Sequence, residues 1–271
     1  MLSNSKQGLI DQQPLHYTDN GQGDVIVLLH GLFADKHIWQ AQVQYLSEHY
    51  RCIAIDLWGH GDNKTIPAKT RNLIDVATHI TQLLADLEIA QYHIVGHGCG
   101  AAIAAEMVLQ QPSKVKSLVM LNAFIGFEPE VNCVKYQQWL DVMNQTKTIT
   151  KELANTISTL MFAKGQQDIN LVNQLSQQLS NIDSQQIPVL SRFAHMAIYK
   201  RDTMELVEQL TLPTLVIIGV ENQLRTVLES YLMSDDIDGA SLHHLADAGH
   251  LAMVEQPEQI NTLLHHFYQQ Q

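Results

Sequence analysis

Positive charge is scarce in this 271-residue chain: 16 Lys and Arg stand against 28 Asp and Glu, a formal net charge of −12. A surface of that sign repels the phosphate backbone of nucleic acid and the anionic leaflet of a membrane, which excludes both as main partners. Cysteine is also sparse. Cys52, Cys99 and Cys133 are odd in number and widely scattered, so they do not form a disulfide framework. Long apolar runs are missing as well. The first twenty residues hold no apolar run longer than two, which predicts no signal peptide. No later stretch approaches the roughly 18 apolar residues of a membrane span. A cytoplasmic protein is the expectation.

What is present is a globular composition, 45% hydrophobic and 16% charged, in a chain long enough for one large core with an appended subdomain. Short apolar runs recur at Val25–Leu29, Cys52–Asp56, Tyr92–Val95, Leu118–Leu121 and Leu215–Ile218. Such runs suit central strands of a parallel sheet covered on both faces. Helix-length segments with apolar residues three and four apart, such as Leu73–Leu87 and Ala101–Gln110, lie between them. The alternation predicts an α/β fold with a doubly wound, mostly parallel sheet.

After Asn122 the alternation stops. From Phe127 to Thr211 the chain is polar, Gln-rich and helical in pattern, with helices expected at Tyr136–Met143, Lys151–Phe162, Leu171–Leu179 and Val189–Tyr199. Residues 127–211 therefore read as a helical lid inserted between two core strands, above the carboxyl edge where open α/β sheets bind ligands. Residues 1–126 and 212–271 form the core, which closes with an amphipathic helix at Pro257–Tyr268.

Four landmarks fall in order: His30-Gly31-Leu32-Phe33, then Asp56-Leu57-Trp58-Gly59-His60-Gly61, then Gly96-His97-Gly98-Cys99-Gly100, and finally Asp247-Ala248-Gly249-His250. The third joins a strand to a helix. Such a bend needs small residues two before and two after its apex, and Gly96 and Gly100 supply them around Gly98. With these four motifs the chain resembles the α/β-hydrolase family, in its lid-bearing branch of small esterases, lactonases and carbon–carbon hydrolases. The resemblance runs from about Gly23 to Phe267. It implies a nucleophile at position 98, a triad acid at position 222, the triad histidine at His250, and an oxyanion hole from the backbone N–H groups of Leu32 and Cys99.

Two of those positions are substituted. The apex carries Gly98 and no nucleophile, and Gly219-Val220-Glu221-Asn222 puts an amide where the acid belongs. Without a hydroxyl no acyl-enzyme forms, and in a serine triad the Asp-to-Asn change alone lowers kcat by about 10⁴. The loop Gly61-Asp62-Asn63 also lacks the serine common in the family. Cys99 as substitute nucleophile would shift the elbow by one residue, put His97 where a small residue is needed, and point its thiol into the helix–sheet interface. Glu221 is the nearby candidate for a substitute acid; the other position, at the end of the Leu118–Leu121 strand, offers only the amide Asn122.

Phe33, His97 and Phe124 are the candidate ligand contacts; Trp58, Phe162 and Met196 could also wall a pocket, although core packing explains aromatic and Met residues equally well. His30 reads as a brace of the oxyanion loop and Asp56 as a loop cap supporting His60. His243-His244 and His265-His266 read as surface pairs. Fourteen histidines show no metal-ligand spacing and no phosphate loop occurs, so neither a metal nor a cofactor is expected. The composite expectation is a monomer or homodimer with a lidded pocket for an ester-, lactone- or acid-type small molecule, impaired in serine catalysis. The alternatives are hydrolysis of a carboxylic ester or carbon–carbon bond by His250-activated water, and an inactivated form of an enzyme whose triad had serine at position 98, aspartate at position 222 and His250. A purely protein-binding role finds no exposed apolar stripe to support it.

Overall fold

The computed structural model describes residues 5–165, 167–207 and 211–270. Eight strands form one sheet: β1 (Lys6–Ile10), β2 (Gln13–Asn20), β3 (Val25–Leu29), β4 (Arg51–Ile55), β5 (Tyr92–His97), β6 (Val115–Leu121), β7 (Thr214–Gly219) and β8 (Ser241–Leu245). Their spatial order is β1-β2-β4-β3-β5-β6-β7-β8. The first hairpin and the β2–β4 pair are antiparallel, and every later pair is parallel. Core helices are α1 (Gln40–Leu46), α2 (Leu73–Asp86), α3 (Cys99–Gln110), α9 (Val227–Asp236), α10 (Ala252–Glu255) and α11 (Pro257–Gln269), with a 3₁₀ turn at Lys36–Trp39.

The five expected core strands are all present: Val25–Leu29 at its expected bounds, the second shifted one residue earlier to Arg51–Ile55, and the other three extended by one to three residues. They are apolar on both sides because each face packs on its own core. Val25, Val27, Leu29, Ile53 and Ile55 meet α2 and α3, whereas Ile26, Leu28, Cys52 and Ala54 meet α1 and α11. Strands β1, β2 and β8 were not legible as apolar runs. They lie toward the sheet's edges, and β1 and β8 are largely exposed to solvent, so polar side chains such as those of Gln7, Ser241 and His243 are accommodated.

Between β6 and β7 come α4 (Glu130–Thr146), α5 (Lys151–Met161), α6 (Ile169–Ser180), α7 (Ile187–Ile198) and the short α8 (Met204–Val207). The four expected helices of this stretch are found; α4 starts six residues earlier than expected, and its first turns expose Val131 and Val134. Helix α9 was missed, although Thr226 and Glu229 close a reciprocal capping box at its start, a signal readable as Thr-x-x-Glu.

The strand order reverses at β3, since the chain proceeds to β4 on one side and then to β5 on the other. Ligands gather beyond the carboxyl ends of strands at such a switch point. Register completes the arrangement: Leu29 pairs with Gly96, His97 with Leu121, Leu121 with Ile217 and Gly219 with Leu245. The loops bearing Leu32, Gly98, Asn122, Asn222 and His250 thus leave neighbouring strand ends in one row.

Candidate active site

Gly98 sits between β5 and α3 at φ 54°, ψ −121°, a backbone conformation in which L side chains are strained. Its N–H donates to Leu121 O at 3.1 Å. The two flanking glycines are required by close approach. A Cβ at position 96 would lie 2.4 Å from Ala101 Cα, and one at position 100 would lie 2.5 Å from Leu29 O. A Cβ at position 98, by contrast, meets only ordinary contacts, 3.4 Å from His250 Nε2 and 3.5 Å from Gly31 Cα. The turn has the shape of a nucleophile elbow with an unfilled apex facing the histidine.

Asn222 sets the state of that histidine. Its Oδ1 accepts from Leu224 N at 2.9 Å and from Arg225 N at 3.2 Å, which fixes the amide's orientation. The remaining Nδ2 lies 3.2 Å from His250 Nδ1 and donates to it. His250 Nδ1 is therefore an acceptor, and the ring proton resides on Nε2, facing Gly98. A triad carboxylate would impose the opposite tautomer, with the Nε2 lone pair free to take a proton. Burial, with smaller contributions from His97 and Arg225, holds His250 well below the ordinary imidazole range.

The backbone N–H groups of Leu32 and Cys99, the expected oxyanion donors, belong to residues that line the same cavity as Gly98 and His250. Neither donates in a backbone turn or loop hydrogen bond among the described residues. Cys99 lines the cavity and also packs against the helix–sheet core, as expected for its side chain. Burial pushes its pKa up to about 12, so it remains a protonated thiol and not a nucleophile.

Neither alternative position hydrogen-bonds the His250 ring, whose Nδ1 meets Asn222. Glu221 accepts from Gly165 N. Asn122 donates to Gly249 O at 3.0 Å and His250 O at 2.8 Å, while its oxygen accepts from Gly219 N at 2.8 Å. It clamps the His250 loop and does not touch the ring's Nδ1.

Three further histidines lock the loops. His30 Nδ1 donates to Gly31 O at 2.7 Å and its Nε2 accepts from Leu57 N at 2.9 Å, the expected brace. His60 accepts from Phe33 N at 3.2 Å and donates to Trp58 O at 3.1 Å. His97 accepts from Gly31 N at 3.1 Å and donates to His250 O at 2.9 Å. Both His97 ring nitrogens are thus occupied within the protein. It does not line the pocket, contrary to its expected role as a ligand contact. Asp56 does not support His60 either; it binds Lys36 N at 2.9 Å, Lys36 Nζ at 2.6 Å and Asp62 N at 2.9 Å. Asn63 is buried and holds the loop to β2 through His16 N at 2.9 Å.

The cavity over this row has a volume of about 80 Å³. Phe33 and Phe124 line it, together with Tyr136, Trp139, Leu140 and Met161. Trp58 and Met196 pack in a hydrophobic cluster away from this cavity, and Phe162 lines a separate cavity with His60 and Leu171. Sequence reasoning missed the pocket's charged residues. Arg225, after β7, holds Glu128, ahead of α4, through two bonds of 2.6 Å, and reaches Glu229 at 3.0 Å. Burial opposes the Arg225 charge, but Glu128, Tyr136 and Glu229 outweigh it and raise its pKa. Lys200, just past α7, lies in the same wall. Arg225 and Glu128 are separated by 97 residues in sequence, and no local pattern connects them. Among the described residues no group of His, Cys, Asp and Glu is arranged to hold a metal ion, and no helix is long and apolar enough to cross a membrane.

Burial lowers His60 and His97 to about 3 and His93 to about 4. Unfolded histidine titrates near 6.5, so below that pH the unfolded chain binds more protons than the folded one. The stability that depends on these neutral rings is complete above the unfolded value and falls as pH drops toward 3. Each ring contributes up to about 1.4 kcal/mol per pH unit. His37, raised by its hydrogen bond to Asp35, offsets this with the opposite sign. Thermal unfolding followed from about pH 8 to about pH 5 is expected to show Tm falling steadily below about pH 6.5; a flat profile would contradict neutral burial.

Comparison with known proteins agrees with this geometry. A family model described as alpha/beta hydrolase fold matches residues 24–257. The 3-oxoadipate enol-lactonase 2 of Acinetobacter baylyi is 25% identical over 253 residues, covering 91% of this chain and 90% of that protein. The (E)-2-((N-methylformamido)methylene)succinate hydrolase of the same organism is 30% identical over 122 residues, 45% of this chain and 46% of that protein, so this match spans about half of each. A thermophilic esterase from Thermogutta terrifontis superposes with a TM-score of 0.87 at 18% identity, over 99% of both chains, a likeness of fold alone. With the sheet order, the elbow and the histidine loop all in place, the chain belongs to the α/β-hydrolase fold family.

Proposed function

We propose that this chain is a cytoplasmic α/β-hydrolase relative that binds a compact ester-, lactone- or acid-type molecule and has lost covalent hydrolytic catalysis. Residues 127–211 serve as its lid over the core formed by residues 1–126 and 212–271. One observation carries the reading. Asn222 Nδ2 donates to His250 Nδ1 at 3.2 Å, opposite an apex at Gly98 that offers no hydroxyl. The site has neither a nucleophile nor a base directed at the place where one would stand. Against water attack promoted by His250 stands the same hydrogen bond, because it leaves the Nε2 position carrying the proton. The oxyanion donors at Leu32 and Cys99 are backbone groups and survive the loss of both side chains.

The test has two measurements. Incubation with 4-nitrophenyl acetate is expected to give no burst and no acyl adduct by intact mass. A set of small acids, esters and lactones, screened by thermal shift, is expected to contain at least one that raises Tm. Ligand at about a hundred times its Kd adds about 2.7 kcal/mol, or several degrees for a chain of this size. A covalent acyl-enzyme, or a screen in which nothing stabilises the protein, would overturn the reading.

A further inference from the structure

The loss of the triad has a second chemical effect. In a working triad the histidine Nε2 is an acceptor, which repels an anion seated beside it. Here the orientation of Asn222 makes Nε2–H a donor directed at the Gly98 position. Together with the N–H groups of Leu32 and Cys99, three donors now surround a space with no acceptor at its apex. All three residues line one cavity with Lys200.

Lys200 is the second, independent observation. Its side chain is 6% exposed, yet its Nζ makes no hydrogen bond among the described residues, and the nearest carboxylate oxygen, Glu128 Oε2, lies 3.9 Å away. Glu128 has both oxygens on Arg225 at 2.6 Å. Glu229 is held by Arg225, Thr226 N and Thr226 Oγ1. The cluster's carboxylates are thus held mainly by other donors, and the buried Lys200 ammonium keeps only a long ion pair of 3.9 Å to Glu128, with no hydrogen bond, at the pocket wall. Such a group is costly without a partner. Burial lowers its pKa and Glu128 only partly opposes this.

We infer that this pocket is a receptor for a compact apolar monocarboxylate, whose carboxylate occupies the vacated catalytic point under Leu32 N–H, Cys99 N–H and His250 Nε2–H with Lys200 as its counter-charge. The apolar body lies against Phe33, Phe124, Trp139 and Met161. The cavity of about 80 Å³ restricts the ligand to a small acid. The inference rests on the proposed loss of the triad, and it goes further by choosing the acid over its neutral ester, lactone or amide counterparts.

Calorimetric titration of the whole protein near neutral pH with propionate and with propionamide tests it, the two probes differing little except in charge. A charge-assisted hydrogen bond implies that propionate binds about 10- to 100-fold more tightly. Lys200→Met, which keeps an apolar stem of similar length, is expected to bring the ratio close to one. Lys200→Arg is expected to preserve the preference. Equal binding of acid and amide, failure of both to bind, or a ratio untouched by Lys200→Met would each overturn the receptor. Covalent turnover of 4-nitrophenyl acetate by the parent protein is a separate readout and would instead overturn the proposed loss of catalysis.

Discussion

Gly98→Ser combined with Asn222→Asp is expected to hydrolyse 4-nitrophenyl acetate at least about 10³-fold faster than the parent chain, a span consistent with what triad members contribute in serine hydrolases. The positions support this directly. A Cβ at residue 98 lies 3.4 Å from His250 Nε2, which brings a serine hydroxyl within hydrogen-bond reach of the ring. An aspartate at 222 keeps one oxygen under the Leu224 and Arg225 N–H groups and presents the other to His250 Nδ1. That reverses the ring's tautomer and frees Nε2 to accept the serine proton. Each single change should do far less. Gly98→Ser alone leaves Nε2 protonated, and Asn222→Asp alone leaves nothing to attack the ester. Steady-state rates and intact mass for an acyl intermediate check both points, and a double variant no faster than its parent would mean that more than these two groups has been lost. Stability should move the other way. Position 98 has φ 54°, so a side chain there costs about 1–3 kcal/mol of backbone strain. The glycine apex is the relaxed state of a turn that catalysis keeps strained.

Arg225→Met is expected to destabilise the protein by about 3–5 kcal/mol, roughly 10 °C in Tm for a chain of this size. The magnitude follows from burial. The Arg225 and Glu128 side chains are 10% and 5% exposed, and removing the guanidinium leaves a desolvated carboxylate held only by Asn132 Nδ2 on Oε1 and by Lys200 at 3.9 Å from Oε2. An exposed ion pair would be worth no more than about 1 kcal/mol. Glu128→Gln placed in the Arg225→Met background should recover part of the loss, because it removes the uncompensated charge. Denaturant unfolding of the two single variants and the double variant measures the coupling. A loss below about 1 kcal/mol for Arg225→Met would show that this pair is not the brace that ties the start of the helical insertion to the β7–α9 loop.

Much of the scaffold was legible because its signals are local. The Val25–Leu29 and Leu215–Ile218 runs are apolar on both faces since both faces are covered, and the Gly96-His97-Gly98-Cys99-Gly100 spacing states a steric need that the close contacts at positions 96 and 100 explain. Strands β1 and β8 escaped because edge strands are largely solvated, and their polar side chains hide the period. His97 was assigned to the pocket because it adjoins the elbow in sequence, but its side chain turns to the far loops, where Gly31 and His250 use both nitrogens.

By itself, the sequence determined the α/β architecture, the row of loops that builds the site, and the absence of hydroxyl and carboxylate at positions 98 and 222. These depend on residue identity and short spacings. Only the tertiary structure decided what those absences mean chemically. The direction of the Asn222 amide is set by the N–H groups of Leu224 and Arg225, and the His250 tautomer follows from it. The cluster of Glu128, Lys200 and Arg225 is assembled from segments far apart in the chain. Hydrogen-bond direction and burial are properties of the packed neighbourhood, and no one-dimensional pattern carries them.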